Sequence, residues 1–70
     1  MDTADLVNRF TYHPPIGDQA AKYERIRAKA LILADSLNHE CPDSRELSLA
    51  ITHLEEVVFW ANASIARAAL

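Results

Sequence analysis

Groups able to stack on a planar ligand are concentrated near the start of the chain. The segment formed by residues 8–15, NRFTYHPP, ends in two prolines that fix their φ angles and hold the preceding residue out of the α region. It carries a cation, two aromatic rings and an imidazole: Arg9, Phe10, Tyr12 and His13. Aromatic rings and guanidinium groups stack on nucleic-acid bases. Because the segment has the pattern of neither helix nor strand, we expect an arm that covers a planar ligand or a neighbouring subunit.

Cations that could hold phosphate oxygens follow in the next segment, which has a helical pattern. Four of them fall within two turns: Lys22, Arg25, Arg27 and Lys29. Projected at about 100° per residue, Arg27 falls on one flank of the apolar stripe and the other three fall on the opposite flank. Such cations pair well with phosphate, so the arm and this helix could together grip a nucleotide. The alternative is that these side chains snorkel or pair with residues four positions away, as solvated cations commonly do, although Glu24 offers the four of them little compensation.

The signals for catalysis are weak. Cys41 and His39 are near one another in the sequence, but a Cys–His nucleophile needs a base oriented by a third group. Three histidines and one cysteine lack the spacing of a metal site, and a single glycine excludes Gly-rich phosphate loops. Four carboxylates are typical of helix caps or of a solvated face: Asp43, Glu46, Glu55 and Glu56. We therefore expect no enzymatic activity, no bound metal and no cofactor.

Length and charge narrow the class of protein. Ten acidic and seven basic residues give a net charge of −3, which argues against duplex nucleic acid as a partner, since its binders carry a basic face. No apolar run approaches the roughly 20 residues of a membrane span, and no secretory signal is visible. We therefore expect a soluble, cytoplasmic protein. A core of this size rarely supplies more than about 3–5 kcal/mol, and one cysteine cannot form an internal disulfide, so we expect a homo-oligomer.

The predicted fold is all-α: an antiparallel helical hairpin over residues 18–70, preceded by an N-terminal arm over residues 1–17. Within the arm, DTADLV could give one helical turn capped by Asp2 or Thr3. The first long helix is predicted at about 18–39, because its interior lacks Gly and Pro. CPDS ends it. The second long helix is predicted to begin with Asp43 as N-cap and Glu46 at N3, as a capping box, and to run near to Leu70.

Two apolar stripes would form the seam of this hairpin. The first helix contributes Tyr23, Ile26, Ala30, Leu33 and Leu37, and the second contributes Leu47, Ala50, Ile51, Leu54, Val58, Ala61 and Ile65. Trp60 projects away from the seam with Arg67, and Phe59 projects to the other side. A two-helix monomer cannot cover both rings, and aromatic residues are enriched in subunit contacts. We expect both rings in the oligomer interface; the alternative is that one caps the core edge while the other packs under the arm.

Three stretches together resemble the bacteriophage anti-CBASS protein 2 family: NRFTYHPP, KYERIRAKALILA and CPDSRELSLAITHLEEVVFWANASIAR. The resemblance covers about residues 8–67, and its most specific part is the stretch from residue 44 to residue 67. The hairpin is also similar to the core of the larger Thoeris anti-defence protein 1. The resemblance implies a sponge in the cytoplasm of the infected bacterial host. Such proteins bind cyclic oligonucleotide messengers of CBASS immunity, such as 3′,3′-cGAMP, without cleaving them.

The resemblance also implies an assembly and a set of site residues. Relatives form homohexamers with cyclic dinucleotide pockets between pairs of subunits, and some hold cyclic trinucleotides where three subunits meet. By position, Tyr12 matches the arm tyrosine that stacks on the dinucleotide base. Arg27 is the first choice for the phosphate cation and Lys29 the alternative, depending on how the Pro14-Pro15 region aligns. The family has lysine at that position, so Arg27 would be a departure.

Other positions carried over from the family are less specific. The remaining arm residues expected to line the dinucleotide pocket are Asn8, Arg9, Phe10 and His13. Arg67 is the candidate for a trinucleotide pocket, and His53 stands where many relatives have lysine. Two rival functions stay open: a protein-interaction module that docks on a bacterial protein through Trp60 and Phe59, and a phosphodiesterase acting on the same messengers.

Overall fold

The computed structural model describes residues 2–68, which form three α-helices and no strand in that range. The helices are α1 (Thr3–Phe10), α2 (Gln19–Glu40) and α3 (Arg45–Ala68). The long helices α2 and α3 pack against each other. The start of α2 meets the end of α3, so the two helices run antiparallel, and the predicted all-α hairpin is confirmed for the described residues. None of these helices is long and apolar enough to cross a membrane.

Helix α1 is longer than the single turn that the sequence predicted. Asp2 caps it, because its carboxylate accepts a hydrogen bond from the Ala4 amide at 3.1 Å. Asp5 and Arg9 form an ion pair one turn apart, with 3.3 Å between Oδ2 and Nε. The prediction that residues 8–15 contain no helix is therefore wrong for the first three of them, which form the last turn of α1. The helix ends at Phe10, and Thr11 is extended.

The turns before and after α2 follow local chemistry. Gly17 has a φ of 57°, a left-handed conformation that glycine adopts without steric cost, and α2 begins two residues later. Cys41 is extended before Pro42, which ends α2 as expected. The N-cap of α3 is Ser44, whose Oγ accepts a hydrogen bond from the Leu47 amide at 3.0 Å. The predicted capping box with Asp43 as N-cap is therefore wrong; the predicted end near Leu70 lies outside the described residues.

The hairpin has a thin core. Among residues 2–68 only Leu47 and Gln19 are buried, with 7% and 8% of their surfaces exposed. The predicted α2 stripe is half-buried except at Leu33, which is 49% exposed but lines one groove with Leu54 and Val58 of the α3 stripe. The chain measures 45 × 29 × 12 Å. Most apolar side chains thus lie on faces that a single hairpin does not cover.

Gln19 joins three segments of the fold. Its Nε2 donates a hydrogen bond to the Ile65 carbonyl of α3 at 3.0 Å. Its Oε1 accepts one from the Ile16 amide at 3.1 Å, in the turn that leads from the arm into α2. Because both polar ends of this buried side chain are paired, the end of the arm is held beside the far end of α3.

Candidate functional site

An open groove of about 360 Å³ lies where the arm crosses the two long helices. Its lining comes from all three segments: Tyr12, His13 and Pro15 of the arm, Tyr23 and Arg27 of α2, and Asn62, Ala63 and Ala66 of α3. It therefore combines aromatic rings, an imidazole, a guanidinium group and an amide. Such a set can stack on a planar ring, bind an anion and form hydrogen bonds with a base.

The arm reaches this groove because its backbone leaves α1 in a fixed direction. His13 Nε2 donates a hydrogen bond to the Asn8 carbonyl at 2.7 Å, and the Thr11 hydroxyl donates one to the Val7 carbonyl. Carbonyls in the last turn of a helix lack partners within the helix, so these two side chains close the end of α1. The arm then runs through Pro14 into the turn before α2. Tyr12 is 81% exposed at the groove, so its ring face is available to a ligand.

Arg27 supplies the cation of the groove. It lies one turn after Tyr23 on α2, so both side chains project to the same side of the helix. No ion pair engages Arg27 within residues 2–68, whereas Lys22 lies 3.6 Å from Asp18. The guanidinium of Arg27 is therefore free to bind an anion, whereas Lys22 is paired with a residue four positions away, as the alternative interpretation of these cations allows.

Lys29, the alternative phosphate cation, lines a different groove. Its neighbours there are apolar residues of α2 and α3, namely Ile26, Ala30, Leu33, Leu54, Val57 and Val58. Two residues along a helix correspond to a rotation of about 200°, so Lys29 and Arg27 face opposite sides of α2. Of these two cations, Arg27 is the one that lines the groove of Tyr12.

The three predicted pocket residues on α1 do not line the groove in a single chain. Arg9 is paired with Asp5, and Phe10 is highly exposed at the end of the helix. Asn8 is half-buried, and its Oδ1 is buried without a hydrogen-bond partner among the described residues. Its backbone carbonyl nevertheless fixes the arm through His13.

The other predicted site residues lie on α3. Trp60 and Phe59 are 68% and 64% exposed, so a single hairpin covers neither ring. Arg67 is half-buried near the end of the helix and does not line the groove of Tyr12. His53 Nδ1 lies 3.6 Å from Glu56 Oε1, which gives Glu56 a partner that the sequence did not reveal.

Asn62 and Tyr23 line the groove although the sequence did not indicate either of them as a site residue. Tyr23 belongs to the apolar stripe, and its half-buried ring reaches the groove as well. Asn62 is half-buried, and its Oδ1 is buried without a hydrogen-bond partner in the described part of the chain. The signal in the sequence was a single amide in the otherwise apolar run VVFWANA. An unpaired buried oxygen of this kind costs about 1–3 kcal/mol.

The other grooves described within residues 2–68 lack this combination of groups. A larger groove of about 540 Å³ lies between the start of α2 and the end of α3, but it contains no aromatic ring, and its one cation, Lys22, is already paired with Asp18. No cluster of three or more His, Cys, Asp or Glu residues that could hold a metal ion occurs within residues 2–68. The groove at Tyr12 is therefore the candidate site.

Comparison with known families adds to this geometry. A family model described as Acb2/Tad1, hairpin domain, matches residues 2–66, which is nearly the whole chain. The chain belongs to the Acb2/Tad1 hairpin family. This match confirms the resemblance to the anti-CBASS protein 2 family, and membership fits a role in phage anti-defence. No curated protein and no solved structure matches the chain.

Proposed function

We propose that this Acb2/Tad1 hairpin protein sequesters cyclic dinucleotides such as 3′,3′-cGAMP in the cytoplasm of the infected host. The observation that carries the proposal is that Tyr12 and Arg27, from separate segments, line one groove. Stacking of a base on an aromatic ring contributes about 1–3 kcal/mol. A guanidinium binds phosphate oxygens through two parallel hydrogen bonds. One nucleotide half of the ligand would thus find a stacking face and a phosphate contact together.

The size of the groove favours a pocket shared by two copies. Ligand pockets span about 300–1,000 Å³, and this groove, at about 360 Å³ and open to solvent, is at the low end. A cyclic dinucleotide has two bases and two phosphates, related by an approximate two-fold axis. Two chains related by a two-fold axis would present Tyr12 and Arg27 twice, once for each half of the ligand. In this proposal the chain acts as a homohexamer whose dinucleotide pockets lie between pairs of subunits.

Sequestration requires tight binding and no bond cleavage. A sponge competes with the effector for the messenger, so a dissociation constant near nanomolar, about −12 kcal/mol, is expected. Two stacked bases and two paired phosphates can reach that value after the cost of association. The groups in the groove serve for stacking, hydrogen bonding and charge neutralisation, and the ligand is expected to stay intact.

Native mass spectrometry of the protein with and without 3′,3′-cGAMP tests this function. We expect a hexamer that gains whole ligand masses, and Tyr12→Ala to weaken binding more than tenfold while the assembly persists. Tyr12→Phe is the matched control, because it keeps the stacking face and should retain most of the affinity. Unchanged affinity in Tyr12→Ala would contradict the proposed pocket, and recovery of a linearised nucleotide would indicate a phosphodiesterase instead.

A second candidate is a module that inhibits a bacterial protein by docking. The exposure of Trp60 and Phe59, 68% and 64%, favours it, since both rings are suited to a protein interface. This alternative predicts a lower oligomeric state and no ligand mass with cyclic nucleotides. The same mass spectra therefore separate the two functions.

A cyclic trinucleotide pocket, with Arg67 as the phosphate contact, is an additional part of the proposal. Arg67 does not line the groove of Tyr12, so a ligand at Arg67 would occupy a separate site. Arg67→Ala should then reduce binding of a cyclic trinucleotide and leave the affinity for 3′,3′-cGAMP unchanged.

A further inference from the structure

Tyr12, the stacking residue of the proposed site, has little packing of its own to hold it in place. Its side chain is 81% exposed. It stands between the end of α1 at Phe10 and Pro14, in backbone that belongs to neither helix. A residue in such a position loses backbone freedom when a ligand binds, and this loss weakens binding. The position of the ring at the groove therefore depends on what fixes the backbone around it.

The residues on either side of Tyr12 each donate a side-chain hydrogen bond to the last turn of α1. The Thr11 hydroxyl binds the Val7 carbonyl, and His13 Nε2 binds the Asn8 carbonyl at 2.7 Å. Because a carbonyl oxygen can only accept, Nε2 is the ring nitrogen that carries the proton in this bond. The two acceptors are consecutive carbonyls of the helix. The two bonds therefore tie the backbone to α1 immediately before and immediately after Tyr12.

We infer that Thr11 and His13 are positioning residues, which hold the backbone of Tyr12 in its binding conformation before the ligand arrives. The inference rests on the proposed function and goes beyond it, because it assigns a role at the site to Thr11, which does not line the groove. Thr11 then acts on the ligand through Tyr12 alone. His13 does line the groove, so its action on the arm has to be separated from a direct contact with the ligand.

Variants that remove or keep each donor test the inference. Thr11→Val replaces the hydroxyl by a methyl group, whereas Thr11→Ser keeps the hydroxyl. His13→Leu removes the ring donor, whereas His13→Gln keeps an N–H donor at the same distance along the side chain. We expect Thr11→Val/His13→Leu to raise the dissociation constant for 3′,3′-cGAMP about tenfold in titration calorimetry, which corresponds to about 1.4 kcal/mol and lies within the cost of fixing the backbone of one residue. Thr11→Ser/His13→Gln should stay within about threefold of the wild-type value, because both donors remain.

The same two substitutions in a Tyr12→Ala background separate positioning from direct contact. If the hydrogen bonds act by holding Tyr12, they lose their effect on affinity once its ring is gone. Tyr12→Ala and the triple variant with Thr11→Val and His13→Leu should therefore have dissociation constants within about twofold of each other. A further loss of about tenfold in the triple variant would show that His13 contacts the ligand itself, and this result overturns the inference.

A measurement without ligand keeps this inference distinct from the proposed function. In NMR relaxation of the free protein, the Tyr12 amide should be as rigid as the amides of α1 in the wild-type protein and in Thr11→Ser/His13→Gln, and mobile in Thr11→Val/His13→Leu. Unfolding curves and native mass spectra establish that each variant is folded and assembled. Failure of the wild-type protein to bind overturns the proposed function, whereas the relaxation data still decide whether the two bonds hold Tyr12. Equal mobility in all variants, or unchanged affinity in Thr11→Val/His13→Leu, overturns the inference.

Discussion

At the level of single residues, the two candidate phosphate contacts, Arg27 and Lys29, differ in the side of α2 that they occupy. Arg27 lies in the groove of Tyr12, and Lys29 lies among apolar side chains on the other face. We expect Arg27→Ala to weaken binding of 3′,3′-cGAMP more than tenfold, because the phosphate loses a charge-assisted contact worth about 1.5–3 kcal/mol. Lys29→Ala is the matched control and should change the dissociation constant less than threefold in titration calorimetry.

Arg27→Lys tests the geometry of the same contact. Lysine is a point charge without the planar fork of arginine, so it should recover part but not all of the lost affinity. Lysine keeps the positive charge and the helix propensity of arginine, which makes this variant a conservative one for the fold. A larger loss in Lys29→Ala than in Arg27→Ala would place the phosphate on the opposite face of the hairpin.

Some residues of the candidate site were easier to predict from the sequence than others. Tyr12 and the four helix cations stand out by type and spacing, but it is the course of the arm that brings Tyr12 into one groove with Arg27 and not with Lys29. That course depends on His13 binding the Asn8 carbonyl and on the turn at Gly17, neither of which periodicity reveals. Asn62 was not singled out, because its place in the groove depends on how α3 packs against the arm and α2, which no local pattern shows.

At the level of the elements, Gln19 holds the arm and the two long helices together. Gln19→Ala removes the acceptor for the Ile16 amide and the donor to the Ile65 carbonyl. Leaving such groups unpaired costs about 1–3 kcal/mol of unfolding free energy, and we expect a loss in that range by urea denaturation. Because assembly adds to stability, the variant and the wild-type protein are compared at the same protomer concentration.

The control for Gln19 is Ser36→Ala. The Ser36 hydroxyl binds the Ile32 carbonyl one turn earlier on an exposed face of α2, at 3.0 Å, so its removal should change stability by less than about 0.5 kcal/mol. Equal effects from the two variants would show that the hydrogen bonds of Gln19 do not hold the three segments together.

The helices themselves were easier to predict than their ends and contacts. The interior of α2 lacks Gly and Pro, and its predicted bounds agree with the structure to within a residue. The start of α3 was misplaced because two capping residues, Asp43 and Ser44, are adjacent, and local preference does not choose between them. The contact of Gln19 with Ile65 joins residues 46 positions apart, and no local pattern encodes it.

At the level of the whole molecule, a single hairpin leaves too much surface exposed. A compact monomer of 7.8 kDa would expose about 4,400 Å², whereas this chain exposes 5504 Å². Its radius of gyration is 15.3 Å, against about 11 Å for a compact chain of this length. Among the apolar side chains that remain exposed are Leu31, Ile32, Val57, Phe59 and Trp60. These properties support the proposed homo-oligomer.

Trp60 and Phe59 are the side chains expected to contribute most to that assembly. Aromatic residues buried at the centre of an interface often cost about 2 kcal/mol or more when truncated. We expect Trp60→Ala and Phe59→Ala to shift the protein to smaller species at micromolar concentration, as measured by size-exclusion chromatography with light scattering. Glu55→Ala, an exposed polar change on the same helix, is the control and should leave the mass unchanged.

The assembly and the ligand site are then linked. If each dinucleotide pocket is formed by two chains, the dissociated Trp60→Ala protein should also bind 3′,3′-cGAMP more weakly, although neither ring lines the groove of Tyr12. Added ligand should in turn restore part of the larger species, because a ligand that binds only the assembled form stabilises it by mass action. A wild-type monomer at micromolar concentration would contradict the shared pocket. Full affinity in a dissociated variant would place the whole site within one hairpin.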